Sequence, residues 1–292
     1  MWANGGGFQG PRRTGHFAIH PDGPLYYVTG GNLVSLDIGL GGGGSASVSG
    51  TPGIPTVLGD GSVVVPVVTG HTLAAASPAM NWDLQDLEAF RFQPDLSLLF
   101  LRPGHRTEVQ TVPRIGHLYQ SVVRPFKAIP NGQGGVVLGW DSDTHFGNSG
   151  EQFAELAGLD ASGAALGVVG LGNRWGEMVL TGRDTIVATS FLPNATHTAD
   201  VVRMIAEMTP ALEIQSFFLD APLEVSSILA GADGGVIVNY SDGTMGGPDP
   251  GYAQMRLTKA QPADAGTWLG TWNNGAAETI AGISGVCPRG ST

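Results

Sequence analysis

Short apolar runs, broken at intervals by Gly, Asp and Asn, organise this chain. Five segments repeat one pattern: FAIHPDGPLYYVTG (17–30), PTVLGDGSVVVPVVTG (55–70), FKAIPNGQGGVVLGW (126–140), MVLTGRDTIVATSF (178–191) and SILAGADGGVIVNYS (227–241). In each, an apolar stretch meets a turn whose Gly, Asp or Asn residues take positive φ at low cost, and a second stretch rich in Val, Ile or Tyr follows. Each segment predicts a β-hairpin.

A third strand is expected after an interval of variable length, in LEAFRFQPD (87–95), QFAELAGLDASG (152–163), ADVVRMIAEMTP (199–210) and YAQMRLTKAQPADAG (252–266). Each ends in a turn before a fourth apolar stretch. In the second-to-last of these, Val201, Met204, Ile205 and Met208 also fit the helical spacing i, i+3, i+4, i+7. Strand is preferred because the segment fills the slot that YAQMRLTK fills in the next repeat. Repeated four-stranded units of about 50 residues predict an all-β chain, with residues 1–292 forming a single β-propeller domain. Six blades are expected, with five and seven left open: a degenerate blade could lie around LLFLRPGHRTEVQTV (98–112). AETIAGISGV (277–286) reads as the start of a further unit that could close the ring with the N-terminal segment.

The hairpins, as in AGADGGVIV (230–238), resemble the repeats of bacterial β-propellers of the quinoprotein-like and delta-60 type. The resemblance implies an architecture and carries no catalytic signature with it, so function has to come from a site.

Composition narrows the function classes. Glycine is abundant at 46 residues and charged residues make up only 13% of the chain, so turns are many and long helices are disfavoured. A net charge of −11, with no Lys/Arg cluster, argues against nucleic acid as a partner. Cys287 is the lone cysteine, which excludes an intrachain disulfide and a cysteine zinc site. No apolar run approaches the roughly 18 residues of a membrane span. The opening MWANGGGFQGPRR lacks the order of a signal peptide. An extracellular or periplasmic location is nevertheless the expectation for so glycine-rich and acidic a binding domain.

The segments between second and third strands are the longest: ASPAMNWDLQD (76–86), DSDTHFGNSGE (141–151), LPNATHTA (192–199) and SDGTMGGPDPG (241–251). Long loops on one face of a rigid scaffold are where binding concentrates. That face is expected to collect Trp82, Trp140, Arg174 and Trp175 as ligand-binding residues, the indoles offering flat surfaces for stacking and the guanidinium a fork for an anion. Core packing is the competing reading for each indole. Asp141, Asp143, His145, Asn148 and Glu151 supply oxygen and nitrogen donors within one short segment, the composition a calcium or other divalent cation would require, although their spacing is not that of an EF-hand. Turn capping by Asp and Asn is the competing reading here. The segment GNSG (147–150) lacks the surroundings of a protease nucleophile.

Two functions follow as expectations. The first is a non-catalytic binding or scaffold propeller recognising a glycan or a protein through its long-loop face. The second is a hydrolase or lyase acting on a sugar or lactone, with a divalent cation at the channel mouth.

Overall fold

A computed structural model describes residues 17–20, 23–37, 42–74, 81–102, 118–146, 149–171, 174–193, 201–220, 224–231, 235–241, 252–259, 267–272 and 277–281. The described residues form strands joined by turns, with no helix among them. None therefore crosses a membrane as a helix.

The strands group into five successive antiparallel meanders. The first unit contains β1 (Phe17–Ile19), β2 (Leu25–Thr29), β3 (Asn32–Leu36) and β4 (Gly43–Ser47). A two-residue strand, β5 (Thr51–Pro52), precedes the second unit of β6 (Thr56–Val57), β7 (Val63–Ala74), β8 (Asn81–Phe92) and β9 (Leu98–Arg102). The third unit is β10 (Leu118–Pro130), β11 (Val136–Phe146), β12 (Ser149–Leu159) and β13 (Ala165–Gly170). The fourth is β14 (Arg174–Leu180), β15 (Ile186–Pro193), β16 (Val201–Met208) and β17 (Ile214–Asp220). The fifth is β18 (Glu224–Ala230), β19 (Val236–Ser241), β20 (Tyr252–Lys259) and β21 (Thr267–Trp272), with β22 (Ala277–Ala281) added at its edge.

All five predicted hairpins are present as the first two strands of a unit, and 201–208 is a strand. A sixth unit is not found among the described residues. Of the stretch 98–112, residues 98–102 are β9, the fourth strand of the second unit, and the rest lies outside the described residues. β22 pairs with β21, and among the described residues no strand of the first sheet pairs with one of the last.

Five turns, two of them within these hairpins and three between third and fourth strands, share one geometry. The N–H of the first residue donates to the carbonyl of the fifth, and the N–H of the fourth donates back to the first, as in 58–62, 93–97, 160–164, 181–185 and 209–213. The fourth residue is left-handed: Gly61 (φ 82), Leu96 (φ 67), Gly163 (φ 82), Asp184 (φ 56) and Leu212 (φ 65). This is a type I turn continued by a left-handed bulge residue, which lets the strands keep their twist. Three copies carry Asp-x-Ser, in which Asp60, Asp95 and Asp160 each accept the amide and hydroxyl of Ser62, Ser97 and Ser162.

The units cover one another face to face. In β7, Val63, Val65 and Val67 pack with Tyr26, Leu33 and Val48 of the first unit. The alternate residues Val64 and Val68 pack with Leu138, Trp140 and Leu159 of the third. The opposite face of the third unit, with Val137, Ala154 and Leu156, meets Met178, Ile186, Met204 and Met208 of the fourth. A strand buried on both sides must be apolar at every position, which is why VVVPVV and VVL read as continuous runs. The first strands of successive units neighbour one another, β1 with β6, β6 with β10, β10 with β14 and β14 with β18. The fourth strands carry exposed apolar residues, Leu98 and Leu99 on β9, Leu166 and Val168 on β13. The sheets thus share an inner edge of first strands.

Candidate functional site

The two ends of the units differ. At one end the first-to-second turns are short, and those of neighbouring units abut: a side chain built on Gly61 would touch the ring of His20, and one on Gly132 would touch Asp184. At the other end, the second and third units extend into long arms. β7 and β8 pair without interruption from Val63↔Phe92 to Ala74↔Asn81. β11 and β12 pair from Val136↔Leu159 to Phe146↔Ser149. The segment 141–151, expected as a loop, is therefore two strands joined at 147–148, because ladder pairing satisfies its backbone and Thr, His and Phe suit a pleated surface.

The arms are joined to each other. β8 pairs with β9 over Ala89–Phe92, and beyond the end of β9 its freed edge is taken by β10 in parallel, at Leu118↔Trp82 and Tyr119↔Asp83. Pairing removes an open edge that would otherwise invite other chains. The result is one surface, β7-β8-β10-β11-β12, spanning two units.

Register then sorts the residues. One row across this surface is Thr72, Asp83, Tyr119, His145 and Gly150. Since successive residues of a strand alternate faces, the positions of Gln85, Ser121, Asp143 and Gln152, and then Asp141, belong to the same face. The other face receives the row Leu73, Trp82, Leu118 and Phe146, and next to it His71, Thr144 and Glu151.

Of the predicted metal set, Asp141, Asp143 and His145 thus share a face, Glu151 sits at a position of the opposite face, and Asn148 lies outside the described residues. Trp82 belongs to the apolar row, away from the aspartates. Trp140 is 1% exposed and belongs to the core between the second and third units, so it offers no stacking surface. That corrects its expected place on the ligand face: it precedes the arm and falls at a position covered by the neighbouring unit. Arg174 and Trp175 begin β14, in the fourth unit, and are not part of the joined arms. Asp83 and Tyr119 were missed by sequence reading. The alternation in NWDLQD signals a strand with Asp83 and Gln85 on one side, but the parallel pairing that sets Tyr119 beside Asp83 has no local signature.

The chemistry this face can perform follows from its residue types. Carboxylates and carboxamides accept and donate hydrogen bonds, a tyrosine and a histidine add flat rings, and Asp83, Asp141 and Asp143 are of the residue type that serves a hard cation.

The short-turn end carries a different polar group. Arg91, 5% exposed, donates to the Ser62 hydroxyl (2.9 Å), to the Asp60 carboxylate (2.7 Å) and to the carbonyl of Ala161 in the next unit (2.6 Å). Burial works against ionisation of Asp60, but the Ser62 hydrogen bonds and the Arg91 charge outweigh it and hold the carboxyl below its ordinary range. This group binds one unit to the next.

The sequence matches no protein-family profile and no curated protein. Among solved structures, a protein of unknown function from Bacteroides caccae aligns over 87% of this chain and 90% of its own, at 8% identity and a TM-score of 0.38. An acylaminoacyl peptidase from Pyrococcus horikoshii aligns over 88% of this chain at 8% identity and a TM-score of 0.36. This chain covers 49% of that peptidase.

Proposed function

We propose that the chain is a non-catalytic binding module of the β-propeller type that recognises a glycan on the polar face of its joined arms. One observation supports this above the rest: the register of β10 sets Tyr119 between Asp83 and His145, which brings polar positions from two units into a single row. Rows on one face repeat about every 7 Å along a strand, and strands stand about 4.8 Å apart. Such a grid of acceptors, donors and rings suits an extended chain of hydroxyl-bearing rings better than one small reacting group in a concave pocket. The inner edge of first strands and the face-to-face units favour the propeller reading of the scaffold. A divalent cation at the neighbouring positions Asp141 and Asp143 would serve as a bridge to sugar hydroxyls.

The test is a glycan array with the full chain, in calcium and in chelator. Binding to at least one glycan class is expected, weakened tenfold or more by Asp143→Ala and by Tyr119→Ala. Silence on the array, or binding indifferent to both substitutions, overturns the proposal. Turnover of a sugar or lactone substrate would move the assignment to a hydrolase or lyase.

A further inference from the structure

The polar face of the arms has a foot, which the fourth unit supplies. The short turns of the third and fourth units abut at Gly132 and Asp184, so their ladders start at one level. The β11–β12 ladder then runs eleven rungs, to Phe146↔Ser149, whereas β15–β16 ends after eight, at Pro193↔Val201. Three rungs, about 10 Å of the arm, stand clear of the fourth unit. Ala154, the register partner of Asp141, is fully buried in the core that the two units share. Across the same interface the buried Ser190 hydroxyl donates to the carbonyl of Leu171, itself buried. Asp141 therefore marks the base of the polar face, with Asp143 and His145 above it.

Register also says what the fourth unit turns toward that face. Trp175 pairs with Ser190, and Ser190 with Met204, which packs against the third unit. Trp175 belongs to this row, and Leu192 and Val202, two residues further along their strands, occupy the next row of the same face. The alternate row of Arg174, Phe191, Arg203 and Asp220 belongs to the opposite face. Aspartate positions of the third unit thus meet aromatic and aliphatic positions of the fourth, with both arginines on the far side.

We infer that the glycan is uncharged and that its terminal ring is held at this foot, hydroxyls toward Asp141 and Asp143 and apolar C–H face against Trp175, Leu192 and Val202. A pyranose carries those two kinds of surface, and an indole offers a broad apolar body to the second. An acidic ring would meet carboxylates of a chain whose net charge is −11, while Arg174 and Arg203 stand on the other face. The sealed interface below stops a glycan chain from passing further, which selects its end over its middle. This inference rests on the glycan reading and deepens it.

The experiment places the full chain on an array of neutral glycans and of sialylated, sulfated and uronate-bearing ones, in calcium and in chelator. Binding to neutral glycans is expected, competed by the free monosaccharide of the terminal ring. Trp175→Ala and Leu192→Arg should each weaken it tenfold or more at unchanged Tm, with Trp175→Phe within about threefold of the unaltered chain. Leu192→Arg decides if Trp175→Ala fails to fold. Preference for acidic glycans, no competition by the monosaccharide, or binding that Asp143→Ala and Tyr119→Ala weaken but Leu192→Arg and Trp175→Ala leave intact, overturns this inference and leaves the glycan reading standing. A silent array, or binding indifferent to Asp143→Ala and Tyr119→Ala, overturns both.

Discussion

Backbone conformation and charge at single positions decide how firmly the turns hold. Leu96, Asp184 and Leu212 occupy the left-handed slot that glycine fills at Gly61 and Gly163. For an L-residue that conformation costs about 1–2 kcal/mol. Leu96 and Leu212 are buried, and each joins the core between its own unit and the preceding one, so packing offsets the strain. Asp184 is exposed and has no such compensation. Asp184→Gly should therefore raise stability by up to about 1 kcal/mol, read as a higher urea midpoint at unchanged slope. The Arg91 group makes a pH prediction. A carboxyl whose pKa is depressed on folding contributes its full stabilisation above its unfolded value near 3.9, and loses it as pH falls through the folded value. Arg91→Met should cost about 2 kcal/mol at neutral pH through lost charged hydrogen bonds. Urea titrations should show that difference shrinking as pH drops from about 5 to about 2. A difference independent of pH across that range would separate Asp60 from the role of Arg91.

Strands and their contacts set the next scale. β13 approaches the fourth unit so closely that a Cβ on Gly167 would lie 2.6 Å from the Ala211 carbonyl, a backbone atom that cannot swing aside. Gly167→Val should accordingly destabilise by roughly 1–3 kcal/mol, by overpacking at this crossing. Gly167 would otherwise pass for an ordinary strand glycine, and its β-propensity would suggest that valine helps. An increase in Tm for Gly167→Val would show that the two units are not in this contact. Much of this scale was legible in the sequence. Alternating and continuous apolar runs fixed the hairpins, and Gly, Asp and Asn residues placed their turns, because both act within a few residues. The arms were not legible: DSDTHFGNSGE has the polarity of a loop, and only pairing with a partner strand makes it extended.

At the level of the whole molecule, the second and third units each share both of their apolar faces with neighbours, so neither completes its own core. Leu156, fully buried between the third and fourth units, contributes to both. Leu156→Ala should lower stability by about 2–5 kcal/mol. Calorimetry should still show a single transition at lower temperature, because removing one unit exposes the faces of the next. Separate transitions for the two sides of that interface would mean that the units fold independently.

The amino-acid sequence by itself determined the strand class, the five hairpins and the chemistry of their turns, since strand periodicity and left-handed turn residues are local properties of the chain. It also determined the acidic, glycine-rich and charge-poor character of the chain. Only the tertiary structure decided which face each residue occupies relative to another unit. It buried Trp140, moved Glu151 and Trp82 away from Asp143, and set Asp83, Tyr119 and His145 in one row. Those outcomes depend on the register of strands that pair across 35 or more residues of sequence, as Asp83 and Tyr119 do, and no pattern confined to neighbouring positions encodes that register.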